Sequence, residues 1–344
     1  MRILSVAWEC PYGGYGGLST FIRNLNPYLV EKGDLVHLCV YGDAPPHPVK
    51  IDNYTVFRCG ETRISKELTV RFLTAFEIAK HLHMVYDSDL VIGHDVHASP
   101  MILSAYEAGR RSILYLHTLF YTGLEFDGIR YADKVFVNSK LMSQIVSQFS
   151  ARQPEVVYPA PPNLGKASLP DNLEIFSKLV GFSRDKYVLI FTRNQPNKWS
   201  EEIIRNILNV VKKRKMYLIV AGMGFTPETI KIKDDHLKVL GNVMEDLKIA
   251  LMMNAKIGVY PSLFEPFGLV PLEFISLHTP VIVSKRAGVS EVLPPEASEE
   301  PEKIHELLDS ILGDKKASEE LLNKERESWI MRRSWRDVAE EIMR

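Results

Sequence analysis

Arg193 and Lys198 lie in FTRNQPNKW, five positions apart, directly after the apolar run YVLIFT and with no acid between them. Two cations of flexible reach across a turn-like NQPN suit a diphosphate. Later in the chain, FEPFGLVPLE sets Glu265 and Glu273 eight positions apart around Pro266, Gly268 and Pro271. Glu265 falls in a loop forced by proline and glycine, while Pro271 fits the first turn of a helix that carries Glu273. The backbone N–H groups of Gly268, Leu269 and Val270 at that helix start can cradle phosphate oxygens. The two carboxylates would then bracket the phosphate and accept hydrogen bonds from hydroxyls on either side. A nucleotide sugar has hydroxyls in both places, on the hexose and on the ribose. The plainer reading of the stretch is a proline-rich helix entry with two solvated glutamates.

The first half of the chain has its own polar groups where apolar runs end. CPYGGYGGLSTF places Gly13, Gly14, Gly16 and Gly17 before a helix start near Leu18, where a backbone can approach an anion closely. A dinucleotide fingerprint fits poorly: Gly14 and Gly16 could open it, but its third glycine position is Ser19, although Asp43 could imitate its acidic residue. GHDVHAS supplies His94, Asp95 and His97 at one strand end. As metal ligands they lack a fourth partner at a recognisable spacing; they suit a hydrogen-bonding wall, against the plainer reading of Asp95 or Ser99 as a helix cap. His117 closes the run LYLHT, where a buried, satisfied histidine is equally at home. Trp8, Tyr12 and Tyr15 could stack on a sugar ring or serve as core and rim.

The elements that must position these groups follow from the apolar pattern. RILSVAW, VHLCVYG, YTVFRCG, DLVIGH, SILYLHT, KVFVNS and EVVYP read as strands buried on both faces, with helical segments between them. In LSTFIRNLNPYLVEKG, Leu18, Phe21, Ile22, Leu25 and Leu29 keep helical spacing, Gly33 supplies the stop, and Pro27 predicts a kink. PAPPNLGKASLPDN (159–172) has no periodicity and reads as a linker. The alternation then restarts with YVLIFT, MYLIVAG, LKVLG, IGVYPS and PVIVSK. Two β-α-β series predict two doubly wound α/β domains, in which ligands bind beyond the carboxyl ends of the strands. The Glu- and Lys-rich stretch 294–327 reads as a solvated helical face.

Length and composition agree with this reading. The chain has 344 residues, which suits two domains, and its net charge of -1 argues against a general nucleic-acid binder. Cys10, Cys39 and Cys59 are too few and too scattered for a disulfide framework or a zinc site, so a reducing compartment is the simplest expectation. The start MRILSVAWECPYGG lacks the apolar core of a signal peptide, and no run approaches the ~20 apolar residues that span a bilayer. The expected location is cytoplasmic, with peripheral contact at the membrane inner face left open.

Taken together, YPSLFEPFGLVPLEFISLHTPVIVSKRAGVSEVL (260–293), the R-x4-K of Arg193 and Lys198, the glycine-rich first loop, GHDVHAS and LYLHT resemble the retaining glycosyltransferases of the GT-B fold. The chain looks like family 4 and, in several details, is similar to the glycogen and starch synthases. The resemblance implies two Rossmann-like doubly wound domains facing across a cleft. It places an acceptor-binding domain over 1–162 and a nucleotide-sugar domain over 163–330. A terminal helix over 331–344, carrying SWRDVAEEIMR, would cross back to the first domain. It also implies roles. Arg193 and Lys198 would hold the donor diphosphate, Glu265 would touch the donor sugar, and Glu273 would bind the ribose. Phe267, Gly268, Leu269 and Val270 would line the donor site, with Gly16 and Gly17 by the diphosphate and backbone near Val243 by the base. His117 would contact the donor sugar; Asp95, His97 and Tyr12 would face the acceptor. Two departures bear on the sugar pocket: Trp199 stands where glycine usually follows the lysine, and a later glycine pair is reduced to Ala287–Gly288, although Glu291 persists.

The implied reaction moves a hexosyl group, glucosyl as the first expectation, from a nucleoside diphosphate sugar to a hydroxyl of a sugar, glycan or lipid-linked acceptor, with the anomeric configuration kept. No metal or cofactor is expected. Asp87-Ser88-Asp89 spells a D-x-D but precedes a strand instead of following one. A glycosidase using the two glutamates as acid and nucleophile would leave two cations and a glycine loop without a task. A nucleotide-sugar epimerase of the same fold and a catalytically silent nucleotide-sugar-binding module are the alternatives, and donor turnover separates them from a transferase.

Overall fold

The computed structural model describes every residue other than 13–15, 41–42, 60–67, 119–122, 165–180, 182, 184 and 315. Gly13, Gly14 and Tyr15 of the first loop therefore lie outside the described residues. The chain divides into two compact units, Met1–Ala160 with Ser334–Arg344, and Pro161–Arg333.

The first unit is built on β1 (Arg2–Val6), β2 (Asp34–Cys39), β3 (Val49–Ile51), β4 (Tyr54–Arg58), β5 (Leu90–His94), β6 (Arg111–Leu116), β7 (Lys134–Val137) and β8 (Glu155–Val156). Their order across the sheet is β3-β4-β2-β1-β5-β6-β7-β8, and β3 pairs antiparallel with β4. The order reverses between β1 and β5, the place where such sheets open a crevice. The helix Gly17–Leu29 buries Leu18, Phe21, Ile22, Leu25 and Leu29, as the spacing predicts, and runs through Pro27 to end two residues later. The terminal helix Trp335–Met343 starts on a capping box between Ser334 and Asp337, and it belongs to this unit. Its Trp335 meets Phe21 edge-on at 5.0 Å, and Arg336 forks onto Glu31.

The second unit carries β9 (Tyr187–Phe191), β10 (Tyr217–Ala221), β11 (Leu237–Leu240), β12 (Ile257–Tyr260), β13 (Val281–Ser284) and β14 (Ser298–Glu299) in the order β11-β10-β9-β12-β13-β14. Among the described residues its pairings are parallel, and β9, β12 and β13 are apolar runs buried along nearly their whole length. Here the reversal falls between β9 and β12. The strand that precedes Arg193 and the strand that precedes Glu265 are therefore neighbours at the switch point.

Two findings depart from the sequence reading. The stretch 294–327 is not wholly solvated. Glu325, in the helix Ala317–Glu327, is fully buried, and its carboxylate accepts the N–H of Val281 at the start of β13. Burial pushes its pKa well above the ordinary carboxylate range, against the opposing effect of that N–H. Second, Cys10 and Cys39 form a disulfide. They are far apart in sequence, but β1 and β2 are parallel neighbours, so the residues that follow Val6 and those that end β2 lie side by side. Cys59 stays a buried thiol beside the Cys39 carbonyl. For a sequence separation of 29 residues, closing the loop is expected to contribute about 3–4 kcal/mol. Full reduction should therefore lower the melting temperature of the first unit by on the order of 10 °C. A differential scanning melt with and without dithiothreitol checks this; coincident melts would contradict it.

Candidate functional site

The site in the second unit starts from β9. After Phe191 the chain leaves the sheet through Thr192 and Arg193 into a loop tied at both ends. Asn194 donates its N–H to the Met223 carbonyl at 2.9 Å and its side-chain amide to the Gly224 carbonyl at 2.9 Å. The Trp199 indole N–H returns to the Asn194 side chain at 3.1 Å, and its ring lies 5.6 Å from that of Phe225. The tryptophan that stands in place of glycine is thus part of this loop's scaffold. Ser200 then caps the helix Glu201–Lys213 through the Ile203 N–H. Between these anchors, Asn197 and Phe264 exchange hydrogen bonds, the Phe264 N–H to the Asn197 carbonyl at 2.9 Å and the Asn197 amide to the Phe264 carbonyl at 3.1 Å. This double tie brings Lys198 to Glu265.

The opposite side of the Glu265 loop is tied just as closely. Glu265 donates its N–H to the Arg286 carbonyl at 3.1 Å, and its own carbonyl accepts the Gly288 N–H at 3.0 Å. The Phe267 carbonyl accepts the Val289 N–H at 2.8 Å. Ala287 is fully buried opposite Glu265, so the reduced glycine pair packs as a backbone strut. Gly268 sits at φ 98°, where L residues rarely go, and a Cβ there would lie 3.0 Å from the Tyr260 ring and 3.2 Å from the Glu265 side chain.

Within this frame the Lys198 ammonium meets Oε2 of Glu265 at 2.6 Å, with side chains only 11% and 14% exposed. Shielded to that degree, the pair is screened less than a surface pair, but taking both charges out of water costs free energy that offsets the attraction. The Tyr260 hydroxyl, at the end of β12, donates to the same oxygen. Burial first, and the Glu265 charge next, hold the Tyr260 phenol well above its ordinary pKa, so it stays a donor. Val243 lies in the partly exposed stretch after β11, near the Gly222 loop whose N–H reaches the Gly241 carbonyl at 3.2 Å.

Glu273 has a partner that the sequence reading did not foresee. It lies in the helix Val270–Ser276, 4% exposed, and its Oε1 pairs with Lys248 at 3.1 Å. Lys248 comes from the helix Glu245–Asn254 and also meets Glu245 at 2.9 Å. Burial opposes the Lys248 charge, but Glu273 and Glu245 outweigh it and raise its pKa. Glu273 is thus a structural partner inside the second unit, whatever it offers a ligand. Glu273→Gln should leave Lys248 with only the more exposed Glu245 and cost about 2 kcal/mol, below the 3–5 typical of a broken buried pair. Urea unfolding of the variant measures this; unchanged stability would show that Glu245 alone suffices.

In the first unit, Asp95 is 1% exposed and stands at φ 60°, an uncommon conformation for aspartate. Its Oδ1 accepts the backbone N–H groups of both His117 and Thr118, at 2.6 and 3.0 Å. Burial pushes its pKa up to about 7 against those two donors. His94 Nδ1 lies 3.0 Å from His117 Nε2, and the His117 ring packs on Phe21 and Tyr115 at 4.5 Å each. His97 is buried, with its ring 5.9 Å from Trp8. Among the described residues no group of three or more His, Cys, Asp or Glu is placed to hold a metal ion. Tyr12 donates to Asp52 and receives the Tyr54 hydroxyl at 3.4 Å. Gly16 caps the helix Gly17–Leu29, and a Cβ on Gly17 would meet open space. The helix start is not wholly open to an anion, however: the buried Glu9 carboxylate already accepts the Ser19 N–H at 3.0 Å.

Two family models match the sequence, Glycosyltransferase Family 4 over residues 15–160 and Glycosyl transferases group 1 over residues 171–328. The chain is a glycosyltransferase of the GT-B fold. An uncharacterised glycosyltransferase of Methanocaldococcus jannaschii is 25% identical, over 100% of this chain and 97% of its own. The phosphatidylinositol N-acetylglucosaminyltransferase gpi3 subunit of Schizosaccharomyces pombe is 25% identical, over 94% of this chain and 76% of its own. Among solved structures, Anabaena HepE in complex with UDP and glucose superposes with a TM-score of 0.76 at 16% identity, covering 100% of this chain and 98% of its own. In this glycosyltransferase the sequence reading missed Tyr260 and Lys248. Tyr260 reads as the last residue of an apolar strand, yet a phenol at a strand's carboxyl end is itself a signal. Lys248 gives none, because a lysine on a helix is ordinarily solvated.

Proposed function

We propose that this GT-B glycosyltransferase moves a hexosyl group from a nucleoside diphosphate sugar to an acceptor hydroxyl with retention of configuration. The observation that carries this reading is the tied pair of loops at the β9–β12 switch point, which sets Lys198 on Glu265 with Arg193 at the head of the same loop as Lys198. As the glycosidic bond lengthens, negative charge builds on the departing diphosphate. Arg193 and Lys198 are cations within reach that neutralise it, and no metal is required for that task. Glu265 takes the donor sugar's hydroxyls, and Gly268, Leu269 and Val270 offer backbone N–H groups at a helix start, where intrahelical partners are absent. The departing phosphate accepts the acceptor's proton on the face it leaves, so the protein supplies no base. In the first unit Asp95 fixes the loop that carries His117 by accepting the His117 and Thr118 N–H groups.

UDP-glucose is the first donor to test, since HepE is solved with UDP and glucose. A lipid-linked acceptor is favoured by the name of the gpi3 relative, a phosphatidylinositol N-acetylglucosaminyltransferase subunit; such an acceptor would bring the enzyme to a membrane surface. The test is a thermal-shift panel of uridine, adenosine and guanosine diphosphates and their glucose and N-acetylglucosamine forms, run in excess chelator. A ligand that binds only the folded state at 100 times its Kd adds about 2.7 kcal/mol. One nucleotide series should raise the melting temperature. No shift with any of them would overturn the reading.

A further inference from the structure

Lys198 and Glu265 face each other at 2.6 Å, which raises a question for any diphosphate that needs Lys198. An ammonium that turns to a phosphate must leave Glu265, and Glu265 is a largely buried carboxylate. Stripped of its donors, such a group is costly. Tyr260 supplies the remaining donor. Its hydroxyl donates to Oε2, the oxygen that also holds Lys198, and Oε1 points to neither of them. The phenol cannot follow the lysine. Tyr260 is 4% exposed at the end of β12, and Gly268 packs so closely that a Cβ there would lie 3.0 Å from its ring.

Resting on the donor-binding reading above, we propose that Tyr260 is a positioning residue that keeps Glu265 satisfied through Oε2 while Lys198 passes from Glu265 to the donor diphosphate. The shared oxygen is the device. With two donors on Oε2, each is held less tightly than it would be alone, so Lys198 is released at low cost. With Lys198 gone, the phenol still fixes the carboxylate through Oε2, which leaves Oε1 to accept from a hydroxyl of the sugar. Without the phenol, Lys198 and Glu265 would grip each other and resist the ligand. A sugar-bearing donor could compensate in part, because its hydroxyls can donate to Glu265. A nucleoside diphosphate without a sugar could not.

The test is calorimetric titration of the intact protein and Tyr260→Phe with uridine, adenosine and guanosine diphosphates, and with the glucose form of whichever binds best. Tyr260→Phe keeps the packed ring, and a melting curve confirms the fold. The expected result is a loss of about tenfold in affinity for the nucleoside diphosphate, the lower end for a hydrogen bond to a charged group, with a smaller loss for the sugar form. A second arm repeats the substitution in the Glu265→Gln background, where no ion pair holds Lys198; there Tyr260→Phe should change nothing. A merely structural tyrosine would weaken both ligands alike and do so in both backgrounds, and that result would overturn the proposal, as would unchanged affinity in Tyr260→Phe. Failure of the intact protein to bind any of the three diphosphates would sink the donor-binding reading itself, and this proposal with it.

Discussion

Lys198→Ala is expected to lower turnover by about 10²-fold or more, the scale seen when one preorganised transition-state donor is removed. The expectation rests on where the ammonium is held. The loop from Arg193 to Trp199 is tied to Gly224 at one end and to Phe264 in the middle, so Lys198 has little freedom to be anywhere but beside Glu265 and the ligand. The fold should survive, because the Asn197–Phe264 and Trp199–Asn194 bonds do not involve the lysine side chain, and Tyr260 still donates to Glu265. The measurement is nucleoside diphosphate release under saturating donor, with circular dichroism as the control. Turnover near that of the intact protein in a folded variant would remove Lys198 from the chemistry.

The second large effect is on acid stability of the first unit. His37 is buried beside the Ser5 hydroxyl, and burial pushes its pKa down to about 4. Burial pushes His117 down to about 3, and burial together with His117 and His37 holds His94 well below the ordinary range. All three are neutral in the folded unit and take up protons near pH 6.5 only when it unfolds. Their contribution is therefore present above about pH 6.5 and is lost as the pH falls towards about 4. Asp95 works the other way. Its folded pKa is about 7 against 3.8 unfolded, so its contribution is present at low pH and is lost as the pH rises through about 7. Three protons against one leave a net of two, a slope of about 2.7 kcal/mol per pH unit between about pH 6 and pH 4. Against a total of 5–15 kcal/mol typical of a domain, a loss of about 5 kcal/mol by pH 4 removes roughly a third or more of the first unit's stability. Urea titrations at pH 7, 6 and 5 read the slope directly. Asp95→Asn should steepen it, since the one opposing group is gone. Equal stability at pH 7 and pH 5 would contradict this account.

How far the sequence could be read follows the physics of each element. Strands such as YVLIFT and IGVYPS are buried on both faces, so their apolar runs announce a doubly wound sheet. The same logic fixes which loops matter, because Arg193 and Glu265 each follow a strand. What could not be read is how side chains pair across long sequence distances. Glu273 reads as a ligand-facing carboxylate, and nothing in its spacing announces that Lys248, from another helix, stands against it. Asp95 reads as part of a polar wall, yet it bonds backbone 22 residues away. The two-residue strand β14 and the three-residue β3 are too short for periodicity to show. Cys10 and Cys39 look scattered because their proximity is created by the parallel pairing of β1 and β2, a property of topology and not of spacing.

The most direct measurement of the proposed activity is product analysis by proton NMR after incubating the protein with UDP-glucose, or the nucleotide sugar that best stabilises it, together with glucose, sugar phosphates or phosphatidylinositol vesicles as acceptors. The account predicts one nucleoside diphosphate released for each new glycoside, with an α-linked sugar formed from an α-linked donor. Bound donor that is never turned over with any acceptor would support the binding-module alternative, and a β-linked or epimerised product would contradict the retaining transfer proposed for the Arg193, Lys198 and Glu265 site.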